Sequence, residues 1–284
     1  MKKYSEKGVS VNDLPSTRRE QFFFILKHNF SMILVVGLMF LISFVPFVVC
    51  FFLKDIIMAQ VANNLSANGA TYSQLLLNEL LVNSIFVLSS FITFVFPALA
   101  FSITYRIYRN LAFDEGVLFK DDSSEGIKLN FKNTYKVFCF ISFSLLALFA
   151  IKFLCSYYLS GTVSSLTYNI FVGLFDLTII VCLTVLALNT LYNIKVLSSI
   201  KSSIVFMSKG ILISLAIFII LISLNVAFYF ASFLIDIVII AVFLLLILPL
   251  VVLAHYLFSL YLFDENINHK YPEIKYKGLF KEKE

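Results

Sequence analysis

Lys152 and Asp176 are ionisable residues inside long apolar stretches of the sequence. Each is 12 residues from Ser164, which falls in the predicted turn between the third and fourth membrane helices. In two antiparallel helices this spacing predicts one common depth, at most ~18 Å from the turn at ~1.5 Å per residue. A lone charge in a membrane helix costs ~2.5–3.5 kcal/mol, so we expect the two residues to form an intramembrane ion pair. Asn225 is predicted at a similar depth in the fifth helix, where it would complete a polar cluster.

Three interpretations of this pair are open on the sequence alone. The pair is a structural clasp between the third and fourth helices, or it is a substrate or proton site that faces a cavity. In the third interpretation, Lys152 extends its ammonium group toward the membrane surface, away from Asp176. Only the clasp predicts coupling, in which the double mutant recovers the stability that each single mutant loses.

The other residues that could do chemistry do not form a catalytic or ligand-binding pattern. The stretch 121–126 resembles the start of a calcium loop, but Lys132 stands where such a loop needs a bidentate Glu. The three histidines are far apart, and the sequence contains no phosphate-loop or dinucleotide-binding motif. The four cysteines lie in apolar runs without metal-binding spacing. The sequence therefore predicts no catalytic residue, no metal or cofactor site, and no enzymatic activity.

The composition indicates a membrane protein. Of 284 residues, 60% are hydrophobic and 14% are charged, whereas a soluble domain carries about 25% charged residues. Six apolar runs each exceed the ~20 residues that a helix needs to cross the hydrocarbon core. They cover about residues 30–53, 81–104, 135–158, 168–191, 211–233 and 237–260. We therefore predict an all-α, polytopic bundle of six transmembrane helices in three hairpins over residues 30–263.

Two stretches modify the predicted helices. Pro97 lies inside the second run and predicts a kink or a break there, because proline has no N–H to donate to the preceding turn. Residues 56–78 carry no charge, and they are predicted to be an outer loop with a short helix on each side of Gly69.

The distribution of basic residues predicts the orientation. The 22 Lys and Arg residues are unevenly distributed. Apart from Lys54 and Lys152, they fall in the N-terminal segment 1–29, around the loops after the second and fourth predicted spans, and in the tail 264–284. Short cytoplasmic segments retain positive charge. We therefore expect a multi-pass protein of the cell (plasma) membrane with both termini cytoplasmic.

Several of these basic residues are expected to contact anionic lipid headgroups. Ile127, Phe131 and Tyr135 recur every four residues beside a row of lysines, which is typical of an amphipathic helix at the membrane surface. Short interfacial helices are predicted over residues 123–134 and 197–208. The expected headgroup contacts are Arg106, Arg109, Lys128, Lys132, Lys136, Lys201 and Lys209. Binding to nucleic acid is not expected, because alternating aromatic and basic residues at the end of a span are ordinary interface anchors.

One segment carries a family resemblance. Residues 96–109, Gly116, Phe119 and 130–132 combine a Pro-containing helix end, basic residues and a Phe-rich loop that leads into the next span. In these features the chain resembles the YesL-like family of bacterial integral membrane proteins. The resemblance implies a membrane accessory role, in a setting linked to carbohydrate uptake, and it supplies no catalytic residue.

The expected function is accordingly that of a non-enzymatic accessory or regulatory membrane protein. Its expected partners are the lipid bilayer and another membrane protein, such as a transporter component. The alternative hypothesis is a small-solute transporter or permease subunit. Pro46, Pro97 and Pro249 in three of the spans would suit discontinuous helices around a binding site.

Overall fold

The computed structural model describes residues 14–192, 194, 196–230, 232–270 and 273–280. Within these ranges the chain is helical, without a strand. Its helices are α1 (Arg18–His28), α2 (Phe30–Ala67), α3 (Tyr72–Thr93), α4 (Val95–Ala112), α5 (Phe119–Tyr158), α6 (Gly161–Tyr192), α7 (Val196–Lys209), α8 (Ile211–Phe230), α9 (Phe233–Val242) and α10 (Leu248–Asn266). A π-helical segment, Phe243–Ile247, joins α9 to α10, and the 3-10 turn Asn268–Lys270 follows α10.

Six of the helical stretches are long and apolar enough to cross a membrane. They are α2, α3, α5, α6, α8 up to Phe228, and the joined stretch Phe233–Asn266. Large apolar side chains project outward from them, such as Ile42, Ile92 and Leu212 with 71%, 73% and 81% of their surface exposed. A soluble protein would bury such side chains, whereas a bilayer solvates them. The prediction of an all-α, multi-pass membrane bundle is confirmed.

The ends of the first two membrane helices differ from the prediction. The predicted outer loop over residues 56–78 is instead the continuation of α2 to Ala67 and the beginning of α3 at Tyr72. Only a tight turn separates them, in which Gly69 has a φ of +68° that favours glycine. Thr71 caps α3, since its N–H donates to the side chain of Gln74 at 2.8 Å. Hydropathy marked the part of each helix that is in lipid, and the turn residues set where each helix ends.

The predicted interruption near Pro97 is confirmed. α3 ends at Thr93, and α4 begins at Val95 after a break at Phe94. Proline cannot donate to the carbonyl of Thr93, four residues earlier, and its ring crowds that carbonyl. The chain therefore restarts as a separate helix with Pro97 in its first turn.

The two predicted interfacial helices have different outcomes. Residues 197–208 lie in α7, which is a separate helix, so helical structure is confirmed there. Residues 123–134 do not form a separate short helix, because they are part of the uninterrupted 40-residue α5. At ~1.5 Å per residue α5 is about 60 Å long, about twice the ~30 Å hydrocarbon core. α5 is therefore long enough for its first third, which packs against α4, to extend beyond the hydrocarbon core.

α4 is the centre of the packing. Ile107, Tyr105 and Tyr108 are at most 1% exposed, and α4 contacts α2, α5, α6 and α10. The Tyr105 hydroxyl donates to the carbonyl of Leu183 at 3.0 Å, and the Tyr108 hydroxyl donates to the carbonyl of Pro249 at 2.9 Å. These bonds satisfy both hydroxyl groups in the protein interior, so α4 is held to α6 and α10 by polar as well as apolar contacts.

α2 packs closely against the π-helical segment. Pro249 cannot supply the N–H that a continuous α-helix would direct at the carbonyl of Leu245, and the helix takes a π turn at this place. A Cβ added to Gly37 would lie 2.0 Å from the Leu245 carbonyl oxygen. Only glycine permits this approach of the two backbones.

Candidate functional site

Lys152 forms an ion pair, but its partner is Glu79 rather than the predicted Asp176. The Lys152 Nζ lies 2.6 Å from Glu79 Oε1, and the pair joins α5 to α3. The carboxylate of Asp176 instead accepts a hydrogen bond from Asn225 Nδ2 at 3.1 Å, which joins α6 to α8. The structure thus confirms that Asn225 meets Asp176, and it separates both from Lys152.

The predicted pairing is wrong because the turn lies elsewhere. α5 ends at Tyr158 and α6 begins at Gly161, so the turn lies before Ser164. Lys152 is therefore ~9 Å along its helix from the turn, and Asp176 is ~22 Å along the next helix. Glu79 is seven residues into α3 from the same end of the bundle, at ~10 Å, which matches Lys152.

A double-mutant cycle tests the revised pairing. We expect Glu79→Gln and Lys152→Met each to lower the thermal stability in mild detergent, and the double mutant to lose less than their sum. The coupling should be ~0.5–3 kcal/mol, as for two residues in direct contact. Asp176→Asn serves as the matched control, since it should be additive with Lys152→Met. Coupling of Lys152 to Asp176 instead of Glu79 would restore the pairing predicted from sequence.

The predicted headgroup residues fall into two groups. Arg106 and Arg109 are engaged with the protein, because Arg106 lies 2.6 Å from Glu125 and Arg109 lies 4.0 Å from Glu115. The Lys209 ammonium group donates to Asn266. The remaining lysines are exposed and form no ion pair with the described residues; they are Lys128, Lys132, Lys136 and Lys201. Lys128, Lys132 and Lys136 recur every four residues, so they form one row on α5.

A buried ion pair that the sequence did not reveal joins α1 to α10. Arg18 Nη2 lies 2.8 Å from Asp264 Oδ2, and their side chains are only 4% and 1% exposed. Arg18 Nη1 also donates to Gln21 Oε1 and to the carbonyl of Lys277, both at 2.9 Å. Asp264 Oδ1 accepts from Asn268 Nδ2 at 2.7 Å. Each charge is thus paired and hydrogen-bonded, as buried charges must be.

The C-terminal segment completes this network. The side-chain amide of Gln21 donates to the carbonyls of Ala112 and Gly278, at 2.7 and 3.2 Å. Gly278 has a φ of +81°, and a Cβ there would lie 1.9 Å from the Ala112 carbonyl oxygen. The first helix, the end of α4, the end of α10 and the tail therefore meet in one polar cluster. We call this cluster, with Arg18, Gln21, Asp264, Asn268 and the backbone of 277–278, the closing network.

A second contact holds the tail against the loop between α4 and α5. Lys277 Nζ lies 2.6 Å from Glu115 Oε1. Partial burial by itself raises the pKa of Glu115. The hydrogen bond from Lys277 and the charges of Arg109, Lys277 and Arg106 act in the opposite direction and prevail, so the pKa lies below its ordinary value. Glu115 is therefore ionised at neutral pH and pairs with the tail.

A cavity of about 310 Å³ lies between the membrane helices. Its lining is apolar and draws on α2, α4, α5, α6, α8 and α10. The two helix interruptions also border it, through Phe94 and through Phe243 and Leu244 of the π segment. A cavity with this lining suits an apolar molecule and offers no partner to a hydrated solute.

The described residues bring together no group of three or more His, Cys, Asp or Glu that could hold a metal ion. The four cysteines are free thiols. His255 is buried, and its Nε2 lies 3.2 Å from the hydroxyl of Thr184. This hydrogen bond links α10 to α6.

No protein-family model matches the chain, and neither a curated protein nor a solved structure is significantly similar to it.

Proposed function

We propose that the protein is an integral membrane protein of accessory or regulatory type that catalyses no reaction of its own. The observation that carries this proposal is the way in which polar groups inside the spans are used. Lys152 is engaged by Glu79, Asp176 by Asn225, and His255 by Thr184, each pair between two helices. These contacts fasten helices to one another. The central cavity is lined by apolar side chains, so it offers no polar partner to a hydrated solute.

The resemblance to YesL-like proteins supports the same role, in a setting linked to carbohydrate uptake. In this proposal the partner is a membrane protein such as a transporter component. The closing network gives the end of the bundle that carries α1, α7 and the tail a fixed shape, which suits a surface for docking. The exposed lysines of α5 lie near this end and would meet anionic headgroups.

Purification from native membranes in mild detergent tests the accessory role. We expect a transporter component, an ATPase or a permease, to co-purify in a fixed ratio with the full chain. The complex should re-form when the separately purified components are mixed. A protein that is isolated alone from its native membrane, and that changes no uptake activity when its gene is deleted, would contradict the proposal.

The orientation is part of the proposal, and it has its own test. With the four native cysteines replaced, single cysteines are introduced at Asn68, in the turn after α2, and at Ser124, near the beginning of α5; both positions are exposed. If the basic end is cytoplasmic, an impermeant thiol reagent should label Asn68→Cys in intact cells and Ser124→Cys only after permeabilisation. The reverse labelling pattern would show that the basic end lies outside the cell and would contradict the proposed orientation.

A transporter or permease subunit is the second candidate, and one observation favours it. The break at Phe94 and the π-helical segment both border the central cavity. Discontinuous helices at a central site are a common feature of transporters, and π-helical turns within a helix often occur at functional sites. The apolar lining would select an apolar cargo. Native mass spectrometry of the purified chain should then detect a bound apolar molecule, and filling the cavity by Cys182→Phe should release it.

A further inference from the structure

A groove of about 450 Å³ lies between α1, α8 and α10, apart from the central cavity. Its volume is within the ~300–1,000 Å³ of typical ligand sites. The walls are apolar for most of their length: Phe22 and Phe23 come from α1, Ile213 from α8, and Ala254 and Phe258 from α10. Because α8 and α10 belong to stretches that can cross a membrane, the groove opens toward lipid.

One end of the groove carries positive charge. Arg18 and Arg19 both line it, but the charge of Arg18 is neutralised by Asp264. Arg19 is exposed and forms no ion pair with the described residues. The neighbouring carboxylate of Glu20 accepts from the backbone N–H and the hydroxyl of Ser16, both at 2.9 Å, rather than from Arg19. Arg19 is thus the uncompensated cation of this site.

The arrangement of charge and apolar surface on α1 is that of an amphiphile site. Arg19 and Phe23 are four residues apart, so they lie on the same face of the helix. Phe23 is 57% exposed, and its ring meets the edge of Phe22 with centroids 5.4 Å apart. A guanidinium group binds a phosphate with two parallel hydrogen bonds, and the aromatic walls accept an acyl chain.

We propose that this groove binds an anionic phospholipid, with its phosphate on Arg19 and an acyl chain along Phe22, Phe23 and Phe258. The proposal requires only that the chain lies in a membrane, and it does not depend on the accessory role. A bound lipid would connect α8 to α1 and α10. This would supply packing that α8 lacks, because Ser214 and Ile217 are the only buried residues among those of residues 211–228 that the structure describes.

Native mass spectrometry of the full chain in mild detergent tests the proposal. The purified protein is titrated with dioleoyl phosphatidylglycerol and, separately, with dioleoyl phosphatidylcholine. We expect the first phosphatidylglycerol to bind more tightly than phosphatidylcholine. Arg19→Gln should weaken phosphatidylglycerol binding about fivefold, as expected for one basic residue near a lipid surface, and leave phosphatidylcholine binding unchanged.

Two further variants complete the experiment. Lys27→Gln removes the same charge from an exposed position of α1 that does not line the groove, and it should preserve the preference. Ala254→Phe narrows the groove and should weaken the first binding event of both lipids. Equal binding of the two lipids by the native chain would overturn the proposal. Arg19→Gln and Lys27→Gln variants that weaken phosphatidylglycerol binding equally would also overturn it. So would an Ala254→Phe variant that has the native melting temperature and binds both lipids as tightly as the native chain.

Discussion

Asp264→Asn should destabilise the protein more than any other single change to a polar side chain. The substitution leaves the guanidinium of Arg18 buried without its carboxylate. Removing one partner of a buried ion pair costs ~3–5 kcal/mol, since the remaining charge has lost its compensation in a medium of low dielectric constant. The measurement is the free energy of unfolding in mild detergent, together with the susceptibility of the C-terminal segment to protease. Both should report a released tail, because Arg18, which donates to the carbonyl of Lys277 in that segment, loses the carboxylate that holds its guanidinium in place.

The neighbouring Glu265 provides the matched control. Its side chain is exposed, and among the described residues its hydrogen-bond partner is the hydroxyl of Tyr276, so Glu265→Gln should change stability by under ~1 kcal/mol. Each single change, Arg18→Met or Asp264→Leu, leaves a lone buried charge, whereas the double mutant leaves none. The double mutant should therefore cost less than the sum of the two single changes. If Asp264→Asn melts like Glu265→Gln, the pair has no structural role.

Gly37→Ala should have the second large effect. The added Cβ would lie 2.0 Å from the carbonyl oxygen of Leu245, which belongs to backbone and cannot rotate away. α2 and the π-helical segment must therefore separate, and overpacking of this kind typically costs ~1–3 kcal/mol. The thermal unfolding midpoint should fall. The central cavity should also change shape, because the π segment borders it.

Gly173 is the matched control for that experiment. It is also a glycine inside a membrane helix, but the nearest atom to an added Cβ is Phe218 Cζ at 3.6 Å, an ordinary contact. Gly173→Ala should be neutral or slightly stabilising, since alanine is favoured over glycine in a helix by ~0.5–1 kcal/mol. If Gly37→Ala and Gly173→Ala lower the unfolding midpoint equally, the contact between Gly37 and the Leu245 backbone does not exclude a Cβ.

The membrane helices could be predicted because lipid imposes a single rule on them. A backbone in the hydrocarbon core must satisfy its own hydrogen bonds, so an apolar run of ~20 residues is a helix. Pro97 could be interpreted equally well, since its missing N–H breaks a helix in any environment. The sequence predicts an outer loop with a short helix on each side of Gly69, whereas these two helical segments are the end of α2 and the beginning of α3.

The site residues were less predictable for two physical reasons. The depth of Lys152 depends on where the turn lies, and hydropathy gives that boundary only to within several residues. Hydropathy also places Glu79 before the predicted second helix at 81–104, although it lies within α3. The sequence therefore does not predict its pairing with Lys152. Arg18 and Asp264 are 246 residues apart. In the sequence Arg18 looks like any basic residue that flanks a membrane helix, and the one signal was an acidic residue directly after the last apolar run.

The closing network has a consequence for biogenesis. Arg18 leaves the ribosome 246 residues before Asp264, an interval of ~12–50 s at the usual rate of synthesis of ~5–20 residues per second. During that time the guanidinium of Arg18 in α1 has no carboxylate to compensate its burial. Gln21, which donates to the carbonyl of Ala112, is not yet fixed in place. Insertion of the early helices can proceed, but α1 docks only after the last helix and the tail have emerged. A nascent chain that stops short of Asp264 would leave α1 undocked and accessible, which gives proteolytic quality control a means to recognise unfinished molecules.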